Sequence, residues 1–297
     1  MERWRSAIPR AHGRLRLGIG DDAALYALDD DRYGVFTTDM LVEDVHFKRA
    51  WTAPADLGWK SVAVNLSDLA AMGGDASLLL VAAALPDGYP LADSDAILRG
   101  AQECAAAFGA QIAGGDTVRS SGPLVVSVAA FGEARRDEVL RRDTARAGDL
   151  VAVTGAFGGA AAALRFLERG EAPPADLASR LARAGVRCGI DCSDGLARSL
   201  DLVAEASGVS VAIEEAAIPL DPSVQAKLGR AAARELALAG GEDYELVVAG
   251  GEDALRASGA HLTVIGRVIP GTGARVLLRD EEGGTRPLRD EGYDAFR

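Results

Sequence analysis

The apolar runs of this chain repeatedly stop on an aspartate, with a glycine or a helical segment close by. The segment YGVFTT (33–38) reads as a strand ending at Asp39. Residues 110–113 read as a short strand ending in Gly114-Gly115-Asp116, and 187–190 as one ending at Asp191. Strands that alternate with helices in this way restrict the chain to an α/β or mixed α+β class. In such folds the ends of strands line the ligand crevice.

The remaining elements fit that frame. Pro54 opens a helix to about Met72 that stops at Gly73-Gly74. Residues 77–85 and 124–131 read as strands, and 92–108 as an amphipathic helix with Ile97, Ala101, Ala105 and Phe108 on one face. The polar, Arg-rich stretch 132–148 reads as the link between two halves, giving domains at 1–138 and 139–297. In the second half, strands are expected at 150–154, 209–213, 244–249 and 262–268. Helices are expected from the glycines at 155–159 to about Arg169 and over 195–206, with a break at Pro173-Pro174.

Charge narrows the function. Lys plus Arg is 32 against 44 Asp plus Glu, a net charge of -12, which argues against a nucleic-acid binder. The three cysteines, Cys104, Cys188 and Cys192, form no paired framework and suggest a reducing compartment. The N-terminus has no apolar signal region and no run of 18 apolar residues occurs, so the protein is expected to be cytoplasmic and not membrane-bound.

Five acidic motifs stand out: GIGDDAA (18–24), TTDMLVEDVHF (37–47), NLSDLAAMGG (65–74), GGDT (114–117) and DCSDGL (191–196). Asp68 falls inside an otherwise apolar helix, and Asn65 shares its face at i and i+3. Taken singly, a strand-end Asp beside Gly reads as well as a turn or helix cap. Taken together, carboxylates gathered in one crevice repel unless a cation intervenes, and oxygen-only donors favour Mg²⁺ or Ca²⁺. There is no phosphate-binding G-x-x-x-x-G-K-[ST] loop and no protein-kinase signature. With only Lys48, Lys60 and Lys227 in the chain, phosphate charge must be met by metals, arginines and backbone N–H groups. Arg142 is a candidate phosphate contact or part of a solvated surface. GGEDYEL (240–246) reads as a helix stop and strand start, and His46 as a ligand contact or an ordinary half-buried group.

In this order, GIGDDAA, TTDMLVE-x-VHF, NLSDLAAMG, GGDT, DCSDGL and GGEDYEL resemble the signatures of the thiamine-monophosphate kinase family, over nearly the whole chain. That family belongs to the superfamily named for aminoimidazole ribonucleotide synthetase. The resemblance implies a two-domain PurM-like α/β (α+β) fold. Its N-terminal ATP-binding domain has a mixed sheet and dimerises, and its C-terminal α/β domain completes the site. It implies ATP-dependent conversion of thiamine monophosphate to thiamine diphosphate by direct in-line transfer. It makes Asp22, Thr37, Thr38, Asp39, Asp68, Asp116, Asp191 and Asp194 magnesium ligands. Gly115, Asp116, Arg142 and Ser193 would meet ATP, and His46, Glu242 and Tyr293 the thiamine phosphate. Potassium is left open as a further cofactor. One departure is the short stretch 171–189, where family members usually carry more residues, often with an Arg-Pro-x-Pro-Arg pattern. The competing readings are a relative that phosphorylates another acceptor, a non-catalytic Mg-nucleotide binder, and a structural α/β protein with an acidic face.

Overall fold

The structure is a computed structural model that describes residues 7–8, 10–158, 187–271, 273 and 275–288. Chain contacts divide it into two units: Met1–Ala70 with Gly74–Arg136, and Ala71–Gly73 with Asp137–Arg297. No helix among the described residues is long and apolar enough to cross a membrane.

Among the described residues the first unit is a six-stranded sheet with two helices. Its strands are β1 (Leu15–Leu17), β2 (Ala24–Ala27), β3 (Arg32–Val42), β4 (Asp75–Pro86), β5 (Gln111–Ser120) and β6 (Val125–Arg135). They lie in the order β1-β2-β3-β6-β4-β5, and only β4 and β5 run parallel. Helices α1 (Pro54–Ala71) and α2 (Leu91–Ala107) supply the other layer. Alternation along the strands sends one set of side chains into the core. Leu41 and Val126 on that face pack in one buried cluster with Leu57 of α1 and Ile97 of α2. The two helices touch through glycines. A Cβ on Gly58 would stand 1.9 Å from the Ile97 carbonyl oxygen, and one on Gly100 1.8 Å from that of Ala55.

The opposite face of this sheet is apolar and uncovered. Phe36, Met40, Leu78, Leu80 and Val118 share it by register and are each 43% to 55% exposed. Phe36 and Phe131 stack there with ring centroids 4.8 Å apart. Singly exposed apolar side chains need no explanation; a contiguous sheet face of them marks an interaction surface.

The second unit is a seven-stranded sheet of β7 (Leu150–Val153), β8 (Cys188–Asp191), β9 (Ser210–Glu214), β10 (Leu246–Gly250), β11 (Thr263–Ile269), β12 (Val276–Arg279) and β13 (Thr285–Pro287). The order is β13-β12-β9-β11-β7-β10-β8, with only β9 and β12 parallel. Its α-helices among the described residues are α3 (Leu196–Ser207), α4 (Pro222–Leu228), α5 (Arg230–Ala239) and α6 (Glu252–Ala257). Both faces of β7 and β10 are covered, so these two strands are apolar throughout. Val151, Val153, Val247 and Ala249 join a core with α3 and α5, while Ala152, Leu246 and Val248 join another with Leu255 of α6.

Three expectations need correction. Asp39 does not end its strand: β3 runs on to Val42, with Asp39 opposite Val128 of β6. Asp116 also lies mid-strand, because β5 continues through the glycine pair to Ser120 as an edge strand. Residues 132–135, expected in the polar link, are the end of β6. The expected helix to Arg169 from Gly159, the Pro173-Pro174 break, most of the short 171–189 stretch and Tyr293 fall outside the described residues.

Candidate active site

Strand β3 and helix α1 face each other, and every second residue of β3 points at the helix. Asn65 is fully buried on α1; its amide oxygen accepts the Asp39 backbone N–H at 3.0 Å, and its amide nitrogen donates to the Ser61 carbonyl at 2.9 Å. One turn on, the Asp68 carboxylate accepts the Thr37 hydroxyl at 2.5 Å. The i, i+3 spacing of Asn65 and Asp68 thus matches the two-residue step from Asp39 to Thr37 in the opposing strand. The Thr37 hydroxyl also lies 3.3 Å from the Asp22 carbonyl oxygen. Carboxylate oxygens of Asp22 and Asp68 stand within 4.8 Å of each other. The sheet-facing side of α1 is therefore not wholly apolar: at its seam with the sheet, two carboxylates and a hydroxyl converge on one point. That all-oxygen donor set suits a hard divalent cation.

The sheet does not bring every proposed ligand to that point. Thr38 lies on the opposite, apolar face, and its hydroxyl donates to the Val128 carbonyl at 2.9 Å. Register through β6 and β4 places Asp116 on that same face, beside Ala82. Three strand spacings separate β3 from β5, roughly 14 Å. Strand alternation thus sends the Asp39 and Asp116 side chains to opposite faces of the sheet. Asp116 is exposed and accepts the Thr117 N–H at 2.8 Å. Gly115 is demanded by packing: a Cβ would fall 1.7 Å from the Val81 carbonyl oxygen.

His46 sits in a tight turn after β3. Its N–H donates to the Val42 carbonyl at 2.9 Å, and its Nδ1 accepts the Val42 N–H at 3.1 Å. The turn is anchored by Glu43, whose carboxylate accepts the Leu124 N–H at 3.0 Å and pairs with Arg49 at 2.5 Å. The Leu124 N–H, followed by Arg49, holds that carboxyl below its ordinary range.

In the second unit Asp191 is buried at the end of β8, opposite Leu246 of β10, and Ser199 of α3 donates to its carbonyl at 3.0 Å. The DCSDGL and GGEDYEL segments interlock there. The Glu242 N–H donates to the Ser193 carbonyl at 2.6 Å, Tyr244 N–H to Cys192 at 2.9 Å, and Cys192 N–H to the Glu245 carbonyl at 2.8 Å. Glu242 and Tyr244 adopt left-handed backbone at φ 68° and 49°, a conformation that costs energy outside glycine. A Cβ on Gly241 would meet the Ser193 carbonyl oxygen at 2.5 Å, which explains the glycine. GGEDYEL is thus more than a helix stop and strand start: it gathers Asp191, Ser193, Asp194 and Glu242 at one end of β8. The Arg142 backbone lies away from that group. Its carbonyl accepts Ser207 Oγ at 2.9 Å and is 3.9 Å from Cys188 Sγ, at the opposite ends of α3 and β8.

Glu245 is a feature that motif reading missed. Burial pushes its carboxyl up, and the Thr154 hydroxyl bonded to it offsets part of that shift. Thr154 also accepts the Leu246 N–H at 2.8 Å, so one hydroxyl fixes both the carboxyl and the start of β10. The signal was an acid placed at the start of a fully buried strand. The three cysteines are buried and none is in a disulfide. Cys192 is pushed well up by burial and then by the nearby charges of Asp243 and Asp191, so it stays a protonated thiol.

A mixed sheet layered with helices, carrying paired carboxylates on a helix–strand seam, defines a class that these residues share with known proteins. Residues 20–134 match the family of AIR synthase related protein, N-terminal domain. The thiamine-monophosphate kinase of Bacillus subtilis (strain 168) is 36% identical over 98% of this chain and 98% of its own. The solved structure of AaThiL complexed with AMPPCP and TMP superposes with a TM-score of 0.80 at 30% identity, covering 94% of this chain and 92% of that one. The thiamine-monophosphate kinase of Stenotrophomonas maltophilia K279a gives a TM-score of 0.72 at 35% identity, covering 92% and 93%. The chain belongs to the thiamine-monophosphate kinase family.

Proposed function

We propose that this chain transfers the terminal phosphoryl group of ATP to thiamine monophosphate, giving ADP and thiamine diphosphate. The observation that carries the reading is the Asp22, Thr37 and Asp68 group on the α1–β3 seam, in a chain that matches a relative named thiamine-monophosphate kinase over 98% of that relative's length. AaThiL, which shares the fold, was solved with AMPPCP and TMP bound.

Asp22, Asp68 and Thr37 would hold Mg²⁺, with Asp39 fixed beside them by Asn65. Bound there, Mg²⁺ supplies neutralisation of phosphate charge. Thr38 and Asp116 would serve from the other face of the sheet as separate ligands, and Gly115 would let a nucleotide approach the backbone. In the second unit the roles are cation ligation by Asp191 and Asp194, nucleotide contact by Ser193 and Arg142, and substrate contact by Glu242. His46 would meet the acceptor phosphate, as would Tyr293. The acceptor is already an anion and needs no strong base to attack, which fits a site of acids with no His–Asp pair assigned to it. Transfer is in line, with no phosphorylated side chain.

The exposed face of Phe36, Met40, Leu78, Leu80 and Val118 would pair with its copy in a homodimer, the arrangement that covers it with matched apolar area. Three buried cysteines in no disulfide fit a reducing cytoplasm.

The test is coupled ADP release with a panel of small phosphorylated acceptors, with and without Mg²⁺. Turnover should require both Mg²⁺ and thiamine monophosphate. Equal turnover with unrelated acceptors, or turnover unaffected by chelator, would overturn the assignment.

A further inference from the structure

Helix α1 carries Asp68 near its C-terminal end and Lys60 eight residues earlier. Eight residues of α-helix span about 12 Å. Lys60 is half-buried, and its ammonium donates to the His46 carbonyl at 3.1 Å. His46 is also held through its N–H and through Nδ1, both by Val42. A backbone N–H that donates to Nδ1 leaves the ring proton on Nε2, so the ring presents a donor edge. The ties to Val42 come from the turn itself. The tie to Lys60 comes from the rigid helix that also bears Asp68.

From this geometry we infer that Lys60 is a positioning residue for the acceptor phosphate. It fixes the His46 turn to α1 and so sets the imidazole at a defined distance from the cation end of the same helix. This rests on the kinase reading above. A charge-assisted hydrogen bond to a carbonyl is stronger than a neutral one, and α1 gives it a rigid base. Apolar packing already secures the rest of the turn, because Phe47 is buried among Leu41, Leu57 and Val126. What Lys60 adds is therefore register at His46, not retention of the loop. The ammonium also brings one of only three lysine charges in the chain to the side where an anionic acceptor would lie.

The test compares Lys60→Met, Lys60→Arg, His46→Ala and the Lys60→Met/His46→Ala pair in steady-state kinetics. Lys60→Met should raise KM for thiamine monophosphate about ten-fold, with KM for ATP within about two-fold. Lys60→Arg should recover most of the loss. In the His46→Ala background Lys60→Met should add little, because the two act as one unit. A full, independent penalty in that background, or equal effects on both KM values, would overturn the inference. Imidazole ¹⁵N NMR gives a readout that needs no turnover. His46 should hold the Nε2–H tautomer in both proteins, because Val42 sets it, while its ring signals shift and broaden in Lys60→Met as the turn loses its tie to α1. An unchanged His46 signal refutes the role of Lys60 even if the chain acts on another acceptor; a parent protein inactive on thiamine monophosphate refutes the kinase reading instead.

Discussion

Replacing Asp68 with asparagine should make the metal-free protein more stable and the Mg·ATP-loaded protein less so. Carboxylate oxygens of Asp68 and Asp22 lie within 4.8 Å of each other. At an effective dielectric between 20 and 80, two unit charges at that separation repel by roughly 1–3.5 kcal/mol. The introduced amide keeps an oxygen for the Thr37 hydroxyl, so the weakened bond offsets only about 0.5–1 kcal/mol. The net gain without metal is about 1 kcal/mol, a rise in Tm of roughly 2–4 °C for a protein of this size. Saturating Mg·ATP at about a hundred times Kd stabilises the parent by about 2.7 kcal/mol, and Asp68→Asn should lose most of that increment. Thermal unfolding by calorimetry, with chelator and then with Mg·ATP, reads both arms. A metal-free variant less stable than the parent, or one that gains as much from Mg·ATP, would refute the shared-cation argument. Turnover should fall at least about 100-fold, in line with loss of a charge-stabilising group.

Other consequences follow from single contacts. Gly115→Ala forces a Cβ to 1.7 Å from the Val81 carbonyl oxygen and should cost about 2–3 kcal/mol in urea unfolding; an unchanged midpoint would show that β4 and β5 can separate. Glu245 has its carboxyl raised above 4.5 by burial, so the native state binds the proton more tightly than the unfolded chain. Stability should therefore fall as pH rises from about 4.5 through the folded value, and Glu245→Gln should flatten that slope in Tm-against-pH curves. Leu80→Asp puts a charge in the middle of the exposed sheet face and should convert a dimer to monomer in sedimentation; a persisting dimer would place the interface elsewhere.

The elements with strong periodicity were legible. The α1 helix was expected at 54–72 and runs Pro54–Ala71, because Pro54 starts it and Gly73-Gly74 stop it. Asn65 and Asp68 were placed on one face, and that face meets β3. Strands β1, β2, β12 and β13 were missed, being only three or four residues long, as were α4, α5 and α6. The strand lengths around Asp39 and Asp116 were misread because an apolar run stopping at an aspartate looks like a strand end. Hydrogen bonding to a neighbour carries a strand past polar residues, and β5 at the sheet edge tolerates a run of exposed side chains. Which face Thr38 and Asp116 occupy depends on register across four strands, a non-local fact that no motif contains. The ties between 192–193 and 242–245 are backbone contacts and equally invisible to motif reading.

The most direct measurement of the cation site is anomalous scattering from Mn²⁺ in crystals grown with a non-hydrolysable ATP analogue. The account expects a metal peak bonded to the Asp22 and Asp68 carboxylates, with the Thr37 oxygen alongside. Manganese bound only elsewhere, with those two carboxylates unligated, would contradict it.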